Sequence, residues 1–209
     1  MTREQYALYL VTDTGLCPRE NLCQVVEEAI LGGVTMVQLR EKEIGTGDFY
    51  REACALKEMT RRYDVPLIIN DRLDIMLAAD ADGLHIGQSD LPADVARRLI
   101  GPGKLLGLSA GNVQQAQQAQ QDGADYIGVG AVFPTGTKQD ATWIGKDKLK
   151  EIAQSVEIPI VGIGGIQQAN IGQIFGSGID GVAVVSAIMG SKEPRKEAQE
   201  LKAAAAYLK

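Results

Sequence analysis

Apolar residues along this chain gather into eight short blocks, separated by stretches with helical spacing. The blocks are Leu8–Val11, Met36–Leu39, Leu67–Ile69, Gly83–Ile86, Leu105–Leu108, Tyr126–Val129, Ile160–Ile163 and Gly181–Val185. They do not alternate apolar with polar as half-exposed strands do. They read instead as parallel strands covered by helices. Leu22, Val25, Val26, Ala29 and Ile30 recur at helical spacing, and Gly32-Gly33 ends that helix. Asp48 is placed to cap a second helix, with Phe49, Ala53 and Leu56 on its apolar side. Leu73 to Ala79 makes a short third helix, and Pro92 fits the first turn of a fourth, ahead of Val95, Ala96 and Leu99. Val113–Gln121, Lys146–Ser155, Asn170–Phe175 and Pro194–Leu208 complete the set, with the run of Gln114 to Gln121 as the wet face of the fifth helix.

Eight strand–helix units in 209 residues leave about 26 residues each, enough for a strand, a helix and two short loops. This pattern predicts one closed (β/α)8 TIM barrel, class α/β, in a single domain over residues 1–209. The rival is an open doubly wound sheet, which would have fewer strands in this length and only one or two functional loops. No linker interrupts the chain.

Composition narrows the function. Hydrophobic residues make up 45% and charged residues 23%, ordinary for a globular chain with a sizeable core. Lys and Arg number 21 against 27 Asp and Glu, a net charge of −6, which argues against general affinity for nucleic acid or an anionic membrane but leaves room for a local basic pocket. No apolar run approaches membrane-spanning length, and Met1–Gln5 lacks the apolar core of a signal peptide. Cys17, Cys23 and Cys54 show no CxxC spacing and fit a reduced, cytoplasmic protein. The expected partners are small-molecule substrates. Homo-oligomerisation is left open.

The strand ends carry the chemistry. Strand 2 runs into Arg40-Glu41-Lys42 and strand 3 into Asn70-Asp71. Gln88 and Asp90 follow strand 4, and strand 5 ends in Ser109. Strand 6 leads to Thr135-Gly136-Thr137-Lys138, strand 7 ends in Gly164-Gly165 and strand 8 in Val185-Ser186. Arg and Lys together suit a multiply charged phosphate, and two aspartates on neighbouring strand ends suit Mg2+. Each feature has a plainer reading. Arg40 and Lys42 also suit a structural pairing with Glu41 or Asp71, and Asp71 and Asp90 equally suit helix caps. The glycines and Ser186 can hold a monophosphate or form a simple tight turn. His85, the only histidine, lies within an apolar strand and reads as a satisfied imidazole of the core or one that supports the site from behind. Nothing supports a Ser–His–Asp order, and no GxGxxG follows the first strand.

Taken in order, Tyr9-Leu10-Val11-Thr12-Asp13, Gln38-Leu39-Arg40-Glu41-Lys42, Asn70-Asp71, Gly83-Leu84-His85-Ile86-Gly87-Gln88 with Asp90, Gly107-Leu108-Ser109, Thr135-Gly136-Thr137-Lys138, Gly162-Ile163-Gly164-Gly165-Ile166 and Val184-Val185-Ser186-Ala187-Ile188 resemble thiamine-phosphate synthase over nearly the whole chain. The resemblance implies condensation of hydroxymethylpyrimidine diphosphate with hydroxyethylthiazole phosphate, with release of diphosphate. It implies that Gln38, Leu39, Arg40, Glu41, Lys42, Asn70, Ser109 and Lys138 bind the pyrimidine diphosphate, with Arg40, Lys42, Ser109 and Lys138 catalytic. It also implies that Asp71 and Asp90 hold one Mg2+, and that Thr135, Gly136, Thr137, Gly165, Val185 and Ser186 hold the thiazole phosphate. One departure stands out: Ala110-Gly111-Asn112 replaces a segment in which many relatives carry His. The related thiazole tautomerases rely on that His, so its absence counts against tautomerase activity. A non-catalytic barrel that binds thiamine intermediates is the rival from another class.

Overall fold

A computed structural model describes residues 2–134 and 143–209. Its eight strands are β1 (Leu8–Val11), β2 (Met36–Leu39), β3 (Leu67–Asn70), β4 (Gly83–Ile86), β5 (Leu105–Ala110), β6 (Tyr126–Val129), β7 (Ile160–Ile163) and β8 (Gly181–Val184). All neighbours pair in parallel, and β8 returns to β1, so the sheet closes into a barrel. The helices are α1 (Leu22–Leu31), α2 (Thr46–Arg61), α3 (Leu73–Ala78), α4 (Ala93–Ile100), α5 (Val113–Gln121), α6 (Gly145–Ser155), α7 (Ser186–Met189) and α8 (Pro194–Ala205). The doubly wound alternative is thereby excluded.

The local differences from expectation have simple causes. Gly45, not Asp48, precedes the first residue of α2, so Asp48 lies within the first turn, where its charge suits the helix N-terminus. Pro92 stands just before α4 rather than inside it. Its ψ of 137° is extended, and the helix begins one residue later. Between β7 and β8 the expected helix shrinks to a 3-10 turn, Ile171–Ile174, with Gly172 inside it and Gly176 soon after, both poor helix formers. The last helix stops at Ala205 instead of Leu208, and α7 was not foreseen.

Strand alternation sorts two cores. Leu8, Leu10, Val37, Leu39, Leu67, Ile69, Leu84 and Ile86 pack outward against the helices. Tyr9, Val11, Met36, Ile68, Tyr126, Val161 and Ala183 fill the lumen. The Tyr126 phenol fits there because neighbouring β5 carries Gly107, where a Cβ would overlap both the Tyr126 ring and the His85 imidazole.

At the N-terminal rim, one device recurs. The residue before each even-numbered strand receives an N–H from the start of the preceding odd-numbered strand. Thr35 Oγ1 accepts from Leu8 N at 3.1 Å, Asp82 Oδ2 from Leu67 N at 2.8 Å, Asp125 Oδ2 from Leu106 N at 2.8 Å and Asp180 Oδ2 from Ile160 N at 3.0 Å. Each aspartate also pairs with a cation from outside the barrel, Lys57, Arg97 and Arg3 respectively. Asp180→Ala should therefore lower the unfolding free energy by about 1–3 kcal/mol, since it leaves the buried Ile160 N–H without its acceptor, while the half-exposed Arg3 keeps the Glu157 carbonyl. Asp180→Asn, which keeps an acceptor, should cost less. Urea unfolding of both variants checks this, and a loss under about 0.5 kcal/mol for Asp180→Ala would rank the residue with ordinary surface positions.

Candidate active site

Parallel closure puts every strand's C-terminal end on one rim, so the loops after β2, β3, β4, β5, β7 and β8 share a mouth. On the β2 side, Thr12 ties two strand ends together: its N–H reaches Gln38 O at 2.9 Å, and its Oγ1 accepts from Arg40 N at 3.0 Å. Arg40 is only loosely paired, 3.8 Å from Asp13, and its side chain is 18% exposed. Among the described residues Lys42 makes no ion pair within 4.0 Å, and it is exposed. The structural pairing of Arg40 or Lys42 with Glu41 is therefore not what the chain adopts.

Glu41 is spoken for elsewhere. Its carboxylate accepts from Arg19 Nη2 at 2.8 Å and from Thr14 Oγ1 at 3.2 Å, and Arg19 Nε lies 2.6 Å from Glu52. This bracket buries the Glu41 side chain and fastens the β2 end to the segment before α1. Leu39 faces the helices, fully buried. Either residue can meet a ligand at the mouth only through its main chain.

Asn70 ends β3, and Asp71 follows with φ +60°. A left-handed aspartate is uncommon and such strain collects at functional sites. The Asp71 N–H donates to His85 O at 2.9 Å, which anchors the turn to β4. Neither aspartate caps a helix. Residue 72 precedes α3 without any side-chain capping bond, and Asp90 Oδ2 accepts from Gly87 N at 2.7 Å within its own loop. Asp71 and Asp90 face each other instead. Burial first, then the Asp90 charge and hydrogen bond, push the Asp71 carboxyl up to about 6, against the opposing effects of Asn70 and Lys42.

Two opposed carboxylates with a lysine beside them make a fitting place for a hard divalent ion, which would relieve their repulsion. Among the described residues no group of three or more His, Cys, Asp or Glu side chains gathers as a metal cluster, so the remaining ligands would have to come from water or a bound phosphate.

Ser109 stands at the end of β5, its Oγ 3.1 Å from His85 Nε2, and its carbonyl accepts from Gln88 Nε2 at 2.7 Å. Gln38 Nε2 donates to Tyr9 Oη at 2.8 Å in the lumen below. Across the mouth, Gly164 and Gly165 take φ of +106° and +62°, values that a side chain would resist. A Cβ on Gly165 would also press on the Pro134 carbonyl and on Phe133, so glycine lets the β7 loop pack against the chain leaving β6. Asn170 Nδ2 donates to Gly165 O at 2.8 Å and holds that turn. Val185 and an exposed Ser186 begin α7 on the next strand. Thr135, Gly136, Thr137 and Lys138 lie outside the described residues. Sequence reasoning assigned no role to Tyr9, Tyr126 or Arg19. The one available signal was two phenols in strands otherwise made of aliphatic residues, with glycines on neighbouring strands.

The chain matches the family model described as thiamine monophosphate synthase over residues 8–188. It is 55% identical over 197 residues to the thiamine-phosphate synthase of Clostridium botulinum (strain Eklund 17B / Type B), covering 94% of this chain and 92% of that protein. Its identity to the thiamine-phosphate synthase of Methanobrevibacter smithii is 54% over 201 residues, 96% of both chains. The fold superposes on thiamine phosphate pyrophosphorylase from Pyrococcus furiosus with a TM-score of 0.91 at 40% identity, covering 99% of this chain and 98% of that one.

The opposed carboxylates generate a stability prediction. A folded-state carboxyl raised from 3.8 to about 6 contributes stability below its unfolded value and loses it as pH rises through about 6. Asp71→Asn should therefore stabilise the metal-free protein at pH values above 6 and make little difference below 3.8. Thermal unfolding in chelator at both ends of that window checks it. An equal shift at both would mean that folding does not raise the Asp71 carboxyl.

Proposed function

Because the chain belongs to the thiamine monophosphate synthase family, and so to the transferases of thiamine biosynthesis, we propose that it joins hydroxymethylpyrimidine diphosphate to hydroxyethylthiazole phosphate. The observation that carries this reading is the single mouth. It sets two lightly paired cations and an opposed pair of aspartates on the β2–β4 side against a glycine turn and a serine on the β7–β8 side.

The pyrimidine diphosphate binds on the first side. Arg40 and Lys42, with Lys138, hold the diphosphate and stabilise the charge that it gains on leaving. The carbon–oxygen bond breaks with its electron pair departing on the diphosphate. The thiazole nitrogen then gives its lone pair to the pyrimidine methylene carbon. That nitrogen carries no proton, so the step needs no general base. Asp71 and Asp90 would hold one Mg2+, which supplies further neutralisation of the diphosphate when bound. Gln38, Asn70 and Ser109 orient the pyrimidine, while Leu39 and Glu41 contribute main-chain contacts. Gly165, Val185 and Ser186, with Thr135, Gly136 and Thr137, hold the thiazole phosphate, and the fixed approach of the two rings supplies much of the rate.

Among the described residues no helix is long and apolar enough to cross a membrane. We place the single-domain enzyme in the cytoplasm, with small molecules as its partners and no nucleic acid among them.

Incubation with both substrates and Mg2+ should release diphosphate and form thiamine phosphate. Asp71→Ala should lower kcat by roughly 100-fold or more and abolish the response to Mg2+. Ser186→Ala should raise KM for the thiazole phosphate about fivefold, the equivalent of one hydrogen bond, with the pyrimidine KM unchanged. A protein that binds both substrates without releasing diphosphate would overturn the proposal. An effect of Ser186→Ala confined to the pyrimidine substrate would reverse the assignment of the two sides.

A further inference from the structure

A continuous chain of hydrogen bonds crosses the lumen beneath the mouth. Gln38 Nε2 donates to Tyr9 Oη at 2.8 Å, Tyr9 Oη and Tyr126 Oη lie 2.9 Å apart, Tyr126 Oη is 3.1 Å from His85 Nδ1, and His85 Nε2 is 3.1 Å from Ser109 Oγ. The five residues come from β2, β1, β6, β4 and β5, and both ends of the chain are polar side chains assigned above to the substrate. Tyr9 and Tyr126 are 2% and 0% exposed. Their rings meet edge to face with centroids 5.9 Å apart. Gly107 and Gly128 leave the space that the Tyr126 ring and the His85 imidazole occupy. Such packing leaves little freedom to rearrange.

Counting protons gives the chain a direction. Burial drives both phenols well above their ordinary value, so each keeps its one proton. Gln38 offers an N–H to Tyr9, so the Tyr9 oxygen accepts and its own proton goes to Tyr126. Tyr126 then donates to His85 Nδ1, which must be bare. The imidazole proton sits on Nε2 and is given to Ser109 Oγ, and the serine turns its own proton toward the mouth. This order follows from the Gln38 amide turning Nε2 toward Tyr9; an amide turned over would present Oε1 and reverse every link. At the near end, the Gln38 amide retains Oε1, an acceptor.

We propose that Tyr9, Tyr126 and His85 are positioning residues that fix the polarity of the pocket floor, with Gln38 as an acceptor and Ser109 as a donor. A ligand matching this floor offers an N–H to Gln38 and a lone pair to Ser109. An amino-substituted nitrogen heteroaromatic does so. Its oxo counterpart presents a carbonyl and a ring N–H, the reverse pattern, and is rejected. The choice of ligand rests on the function proposed above, but the direction of the chain does not.

His85 is the only histidine, so its two isotope-labelled ring nitrogens can be read without assignment in the free protein at alkaline pH. The wild type should carry the proton on Nε2, and a proton on Nδ1 would overturn the proposal outright. Gln38→Glu replaces the amide with a group that only accepts. Tyr9 must then donate to it, every link reverses, and the His85 proton should move to Nδ1, three hydrogen bonds away. Adding Tyr126→Phe cuts the chain and should restore Nε2–H. A Gln38→Glu variant that keeps Nε2–H shows no such coupling and sinks the idea, whether or not that variant turns over.

The specificity arm compares amino and oxo pyrimidine diphosphates. Wild type should favour the amino form by about 100-fold in kcat/KM, and Tyr126→Phe should reduce the preference to about tenfold or less. An unchanged ratio removes the positioning role from Tyr126. If neither compound releases diphosphate from the wild type, the proposed reaction and the ligand class fall together, while the tautomer measurement still judges the chain.

Discussion

Everything functional here depends on closure of an eight-stranded parallel sheet whose strand starts are pinned from below. Thr35, Asp82, Asp125 and Asp180 each capture an N–H at the start of the neighbouring strand, where no ladder partner is available. A parallel ladder slips by whole pairs of residues unless something specifies its register. These four acceptors do so every second strand, and the three aspartates among them are fastened in turn to Lys57, Arg97 and Arg3. Stability is thus concentrated at the rim opposite the chemistry. The loops at the other rim are released from holding the barrel together.

That division lets the C-terminal rim keep arrangements that a stability-driven surface would discard. Asp71 sits in the left-handed region opposite Asp90, with burial and like charge both working against its ionised form. Lys42 offsets this only in part, and among the described residues no cation forms a close ion pair with either aspartate. Arg40 reaches only 3.8 Å from Asp13, while the well-paired Arg19 is drawn off to Glu41 and Glu52. Positive charge left lightly paired beside a strained acidic pair is the arrangement that a charged ligand with a metal would complete. The net charge of −6 is no obstacle to this, because the field that matters is local.

Much of this was legible in the sequence, for a physical reason. Strands buried on both faces leave unbroken apolar blocks, and five of the eight, Leu8–Val11, Met36–Leu39, Gly83–Ile86, Tyr126–Val129 and Ile160–Ile163, coincide with the observed strands. Polar residues directly after such blocks have to lie on the rim, which made Arg40, Asn70, Asp71 and Ser109 visible. Capping was less readable. An aspartate near a helix start has several uses, and Asp48, Asp71 and Asp90 all turned out not to cap. Beyond the rim, individual side-chain pairings between distant segments could not be read. The bond between Tyr9 and Tyr126 spans 117 residues, and the Arg19 bracket on Glu41 spans 22. Nothing local distinguishes these side chains from ordinary core or surface.

The lumen shows why such distant pairs matter to chemistry. A barrel of aliphatic side chains would be just as closed and would leave Gln38 and Ser109 free to rotate. Placing two buried phenols and one imidazole between them instead means that no group can turn its proton without its neighbour turning too. Glycines at 107 and 128 give up side-chain packing to make room for this. Apolar filler at those positions would pack the lumen without fixing which way the floor donates, so the polar chain is better explained by orientation of a ligand than by stability of the fold.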